Sequence, residues 1–215
     1  MKDCIIILSG GMDSVTLMHD YSQRIALAVT FDYHSRHAEH EIACARWQCE
    51  QLGIRHLVVE LPFFDQYFRS SLLQNAQEEI PEGHYAEENM KSTIVPFRNG
   101  IMLSIVAGMA ESEGLSYLLI ANHAGDHFVY PDCRPEFIDA MNHAISAGTT
   151  NQVQLLAPYT MWSKRDIALR GQALGVDFSH TYSCYKGGDL HCGKCGTCIE
   201  RKEALEGFDP TQYQE

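Results

Sequence analysis

The sequence has no apolar run long enough to cross a membrane. Its greasiest stretches, Cys4–Leu8 and Gly100–Ala110, fall far short of the about 20 residues a span needs. It is also poor in base: 16 Lys+Arg stand against 28 Asp+Glu, a net charge of −12, which argues against a broad basic face for nucleic acid. A phosphate-bearing small molecule in one local pocket is still allowed. No internal repeat and no low-complexity tract is present. The start, Met1-Lys2-Asp3-Cys4, carries an acid where a signal peptide wants only base, and its apolar run stops at Ser9-Gly10-Gly11. These absences predict a cytosolic chain with no membrane or nucleic-acid partner. What remains is 215 residues, 45% apolar and 20% charged, enough for one domain, or one with a small appendage, around a real core. Eight cysteines in such a chain are expected as thiols or metal ligands before disulfides.

The first 60 residues alternate strand and helix. Short apolar runs at Cys4–Leu8 and Ile25–Phe31 read as buried strands, and His56–Leu61 as a third. Between them fall helices over Ser14–Tyr21 and His37–Leu52, the latter with Ile42, Ala45, Cys49 and Leu52 at helical spacing and Gly53 as its stop. Residues 74–91 crowd Glu78, Glu79, Glu82, Glu87 and Glu88 without a base before Lys91. They are expected as a solvated, mobile loop, or as a lid that orders on substrate. Asn99–Glu111 is apolar nearly all round, a helix buried on most sides with Asn99 as N-cap. Strands at Leu115–Ala121 and Val153–Leu156 follow, with helices over Pro135–Ala147 and Ser163–Leu174. The last opens on a capping box, Ser163 with Asp166, and stops at Gly175. Strand–helix repetition predicts an open, parallel five-stranded α/β sheet with helices on both faces. The expected division is an α/β domain over residues 1–180 and a separate C-terminal segment and tail over 181–215.

Ser9-Gly10-Gly11-Met12-Asp13-Ser14 joins the first strand to the first helix. Glycines let the backbone turn and approach a ligand, and the helix start offers unpaired N–H groups and a positive dipole end, so the segment is an anion site. Ser9 and Ser14 add hydroxyls. Asp13 suits Mg²⁺ bridging to phosphate. No Walker lysine follows; the loop resembles the PP-loop, SGGxDS, of ATP pyrophosphatases. That resemblance implies ATP binding along residues 8–16, that is Leu8, Ser9, Gly10, Gly11, Met12, Asp13, Ser14, Val15 and Thr16, with AMP transfer to a substrate oxygen.

Cys184, Cys192, Cys195 and Cys198 carry CxxC spacing, enough to close a tetrahedral shell around one structural Zn²⁺ with no open position. An iron–sulfur cluster or redox thiols are the rivals. Cys4, Cys49 and Cys44 read as small core residues. Cys133, in a loop entering a helix, is structural or, less in keeping with its setting, a nucleophile.

Together the loop, Val95-Pro96-Phe97-Arg98-Asn99, Tyr130–Phe137 and Ser183–Cys198 with Arg201 resemble the 7-cyano-7-deazaguanine synthase family. The resemblance implies ATP-dependent conversion of 7-carboxy-7-deazaguanine and ammonia to the nitrile, an open α/β sheet and a homodimer. Arg98, ahead of a helix, is expected to clamp a phosphate or carboxylate, and Lys164 to meet phosphate; with Asp13 they form the expected catalytic set. Asp132 and Arg134 are candidates for the guanine edge and the carboxylate, or else cap and pack the Pro135 helix. Asn99 joins this set. The family's usual glycine is replaced by Phe97, whose ring is expected to stack on a deazapurine or adenine, or to fill space. Val129 also replaces a usual glycine, and the run His123–Phe128 differs. His123 and His127 are expected near the pocket. Other readings are a related enzyme coupling the activated acid to another amine, a PP-loop tRNA-thiolating enzyme, and a zinc-stabilised nucleotide-binding scaffold.

Overall fold

The computed structural model describes residues 2–84 and 90–214. Five parallel strands form one sheet in the order β3-β2-β1-β4-β5: β1 (Cys4–Ile7), β2 (Ile25–Asp32), β3 (Arg55–Glu60), β4 (Tyr117–Leu119) and β5 (Gln154–Leu156). Alternation along β1 shows why both faces are covered. Ile5 and Ile6, both 0% exposed, point into two different cores. Burying a side chain of that size stabilises the fold by roughly 1.5–3 kcal/mol.

The Ile5 face packs α4 (Arg98–Ser112), through Leu103, Val106 and Ala110, and α5 (Pro135–Gly148), through Ile138 and Ile145. The Ile6 face packs α1 (Met12–Asp20), α2 (Ala38–Leu52) and α6 (Lys164–Leu174), through Val15, Ala45 and Ile167. A short α3 (Phe63–Tyr67) has no periodic signal in the sequence, and α7 (Gly196–Ala204) has Cys195 as its N-cap and Cys198 in its first turn. By length and composition Lys91–Ser112 would pass as a membrane span, but its α4 part is the core helix of the Ile5 face.

Differences from the sequence expectations are local. β4 is shorter than Leu115–Ala121; at its front, Leu115 N–H bonds back to Ala110 O and closes the preceding helix. Asn99 is not the cap of α4, which starts at Arg98. Instead Asp132, from another segment, accepts from Asn99 N–H at 2.8 Å. The α6 capping box forms as expected, and Gly53 and Gly175 stop α2 and α6.

The acidic loop is not simply solvated. Arg36 donates to the carbonyls of Ala76 and Glu78 at 2.6 and 3.0 Å, Ile80 is buried in the core, and Glu82 forms a bridge with Cys195 and an ion pair with Lys186. Glu87 and Glu88 lie outside the described residues. The segment from residue 181 packs intimately against the sheet: the four clustered cysteines belong to the Ile5 core, and Ala204 and Leu205 to the Ile6 core. Arg201, fully buried, ties it down by donating to Phe178 O at 2.7 Å, Ser183 Oγ at 3.0 Å and Thr211 Oγ1 at 2.7 Å.

Candidate active site and cysteine cluster

In a sheet of this order the chain runs outward in both directions from β1 and β4, so the crevice beyond their carboxyl ends is the expected ligand site. The main cleft opens there, with about 1160 Å³ of empty volume counted to its open mouth.

Its floor is the glycine loop. Gly10 has φ +85, and a Cβ there would lie 2.2 Å from Glu41 O, so only glycine lets the loop seat against α2. Ser14 Oγ receives Ser9 N–H at 3.2 Å and lies 3.0 Å from Ser9 Oγ, which in turn accepts Gly11 N–H at 3.2 Å. Leu8, Ser9, Gly11, Met12, Asp13 and Ser14 line the cleft. Gly10, Val15 and Thr16 are not among the lining residues; Val15 is in the core, and Thr16 Oγ1 is buried with no hydrogen-bond partner among the described residues.

Above the loop, charges converge. Lys164 Nζ, at the start of α6, is 2.9 Å from Asp13 Oδ2 and 3.1 Å from Glu200 Oε2. Burial disfavours the charge on Lys164, but Asp13, Glu200 and Asp126 outweigh it, so the ammonium is held well above its ordinary pKa. Burial likewise pushes Asp13 up, and Lys164 and His123 more than reverse it, leaving an ionised carboxylate. Its other oxygen, Oδ1, is buried and makes no hydrogen bond among the described residues, a spare acceptor of the kind a hard cation takes. His123, 1% exposed, receives Gly125 N–H on Nδ1 at 3.1 Å and points Nε2 toward Asp126 at 3.5 Å and Asp13 at 3.8 Å. Glu200 and Asp126 are site residues that sequence reasoning missed. Glu200 lies two residues past the last clustered cysteine on α7, where only its cavity-facing position reveals it.

Toward α2 and α4 the cleft is aromatic. Phe31, Tyr33, Tyr130, Tyr182 and Tyr185 line it, together with His37, Glu41, Arg98, Asn99 and Cys133. Arg98 donates to Tyr33 Oη at 3.0 Å, and its guanidinium lies 5.5 Å from that ring's centre. Burial pushes the Cys133 thiol well up, which removes the thiolate a nucleophile needs.

Three expected substrate residues sit elsewhere. Asp132 is engaged on α4, and Arg134 Nε donates to His127 O at 2.9 Å; neither lines the cleft. Phe97 is 58% exposed and lies edge-on to Phe137, with centroids 5.8 Å apart, its ring over Gly100 rather than in the cleft. Its φ of +54 explains why a glycine suits this position.

The sulfurs of Cys184, Cys192, Cys195 and Cys198 all lie within 4.8 Å of one another, and those of Cys192 and Cys198 are 3.9 Å apart. A tetrahedral metal with bonds of about 2.3 Å needs sulfur edges near 3.8 Å. Backbone N–H groups of Lys194 and Cys195 point at Cys192 Sγ from 3.4 and 3.3 Å. The donor set therefore fits a tetrahedral metal, and the cysteines form no disulfides.

Fold, switch-point cleft and glycine loop together define an α/β enzyme with a cluster of four cysteines placed to hold a metal ion. The chain belongs to the family of queuosine biosynthesis protein QueC, whose model matches residues 3–209. It is 57% identical to a 7-cyano-7-deazaguanine synthase of Porphyromonas gingivalis over 99% of this chain and 98% of that one. Enzymes of the same name from Desulfotalea psychrophila and Methanoregula boonei are 51% and 48% identical, each covered to at least 98% in both chains. Among solved structures, an NMN synthetase from Francisella tularensis has the same fold, with TM-score 0.52 and 14% identity, over 98% of this chain and 79% of its own.

Proposed function

We propose that this chain makes 7-cyano-7-deazaguanine from 7-carboxy-7-deazaguanine and ammonia, cleaving ATP to AMP and pyrophosphate. The observation that carries the reading is the single cleft that joins an anion loop and its Lys164–Asp13 pair to an aromatic compartment holding Arg98. A carboxylate is a poor electrophile. Transfer of AMP to its oxygen makes a mixed anhydride, and ammonia displaces AMP to give the amide. A second AMP transfer, to the amide oxygen, lets the C–O bond break with loss of the remaining N–H protons, which leaves the nitrile. The protein's part is positioning and charge stabilisation. The glycine loop and α1 start receive the departing pyrophosphate, Lys164 meets its charge, and Arg98 steadies the carboxylate. Asp13, with its Oδ1 left unpaired among the described residues, would hold the Mg²⁺ that accompanies ATP and screens the phosphate charge.

One Zn²⁺ per chain, held by Cys184, Cys192, Cys195 and Cys198, is structural, because all four positions are filled by protein. Residues 1–180 carry most of the nucleotide chemistry, and the segment from residue 181 carries the metal and adds Glu200 to the loop's charged cluster. The enzyme works in the cytoplasm on small molecules, as a homodimer. Leu57, Val58, Phe63 and Tyr67 are exposed on edge strand β3 and α3, apolar surface available for such pairing. Mass spectrometry of products from ATP, ammonium and 7-carboxy-7-deazaguanine tests the reading. Nitrile with AMP and pyrophosphate is expected; ADP, or a product that stops at another conjugate, overturns it.

A further inference from the structure

Among the described residues, four carboxyl groups line the cleft: Asp13, Glu41, Asp126 and Glu200. Three of them are committed around Lys164 and His123 at the loop. Glu41 is different. It stands in the first turn of α2, and its backbone is locked against the loop by the Gly10 contact. Its side chain is 18% exposed, and among the described residues no hydrogen bond reaches its carboxyl. The nearest cation-capable atom is His37 Nε2 at 3.7 Å. Its electrostatic neighbours are Arg98, Tyr33 and Cys44 rather than the Lys164 cluster.

A carboxyl largely withdrawn from water and without donors is costly unless a ligand supplies them. The neighbouring walls are flat rings: Phe31, Tyr33 and Tyr185 line the same compartment. The expected ligand there is planar, carries one anionic group suited to Arg98, and presents paired N–H donors to an acceptor. The guanine moiety of the acid, with its ring N1–H and 2-amino group on one edge, has that chemistry, and Asp132 is spent on α4.

We propose that Glu41 is the specificity residue that reads the guanine edge, its carboxylate accepting from ring N1–H and the 2-amino group while Arg98 meets the 7-carboxylate. The assignment rests on the functional reading above. Burial pushes the empty-site carboxyl up to about 8, with Arg98 offsetting only part of it, as expected of an acceptor that waits for donors. The position is fixed relative to the phosphates because α2 and the loop share the Gly10 contact.

The test is calorimetric binding of 7-carboxy-7-deazaguanine, of its analogue with hydrogen in place of the 2-amino group, and of ATP, to wild type and Glu41→Gln. Wild type is expected to prefer the amino-bearing acid. Glu41→Gln is expected to weaken that acid about 10–100-fold, the scale of hydrogen bonds to a charged acceptor, to bind both acids alike, and to keep its ATP affinity. Equal binding of the two acids by wild type overturns the assignment without recourse to the variant. So does a variant that keeps the preference, or one that loses ATP binding instead, which would make Glu41 an adenine reader. A wild type that binds neither acid overturns the functional reading itself, and this assignment with it.

Discussion

The two ends of the cleft are built on opposite principles. At the loop, charge is saturated: Lys164 bridges Asp13 and Glu200, and His123 stands behind them. Beside α2 and α4, charge is sparse: Arg98 is set among tyrosines, and Glu41 has no hydrogen-bonded partner among the described residues. A site for phosphate must be rigid and charged before the ligand arrives, since preorganisation lowers the barrier. A site that discriminates between similar bases gains most from groups left unsatisfied until the right edge arrives. The first end should therefore fail in rate when altered, and the second in selectivity.

Metal removal is expected to have the largest effect and to separate the two ends. Tyr182, Ser183 and Tyr185 line the aromatic side and immediately flank Cys184. Stripping the metal, or Cys195→Ser, should lower the melting temperature sharply, because a structural site contributes folding free energy directly. In whatever fraction remains folded, the acid should be lost before ATP. Elemental analysis and paired binding titrations check this; iron with labile sulfide, or equal loss of both ligands, would break it.

Next in size is Asp13→Asn. Lys164 keeps Glu200 as its partner, so the fold should hold, while pyrophosphate release in a single turnover should slow by about 10²–10³-fold. A rate near wild type would mean that the loop carries no essential metal or charge through this carboxylate.

The aromatic side should show itself in stability against pH. Glu41 has a folded pKa of about 8 against an ordinary 4.5, so the folded state holds the proton more tightly and stability falls as pH rises from about 4.5 to 8. Each pH unit in that window costs up to about 1.4 kcal/mol. His37 works at the other limb: burial, reinforced by Arg98, lowers its pKa to about 3 from 6.5, so stability falls as pH drops from about 6.5 toward 3. Glu41→Gln should flatten the first limb and leave the second, which makes it more stable than wild type at pH 8. Urea melts across pH check this, and an unchanged alkaline limb would mean that the carboxyl is ionised in the empty site.

How much of this was legible in the sequence follows the same division. The loop and the cysteine cluster are contiguous, so residue order alone carries them, and the sheet follows from short apolar runs. Asp126 and Glu200 were missed because they reach the loop from separate segments. The aromatic side draws Tyr33 from the end of β2, Glu41 from α2, Arg98 from α4 and Tyr185 from the cysteine segment, with no shared spacing. One signal was available. Ala38, Ala45 and Gln48 are buried on α2, and Glu41 falls on that face by helical spacing. An acid on a buried stripe is seldom there for stability.

The smallest effect expected is at Phe97, and it sharpens the boundary of the aromatic side. The ring would be a base platform if it entered the cleft, and its removal would then weaken a ligand by about 1–3 kcal/mol. The structure turns it outward over Gly100 and edge-on to Phe137. Phe97→Gly should therefore leave affinity for the acid and for ATP unchanged. Two terms of similar size then compete in stability. Relief of the left-handed backbone at φ +54 favours glycine by about 1–2 kcal/mol. Loss of the edge-to-face contact with Phe137 opposes it by about 0.5–1.5 kcal/mol. The melting temperature should move by only a few degrees. Phe97→Ala separates the terms, since it loses the ring but keeps the backbone strain, and should be the less stable of the two. Weakened acid binding in both variants would return the ring to the cleft and extend the aromatic side past Arg98.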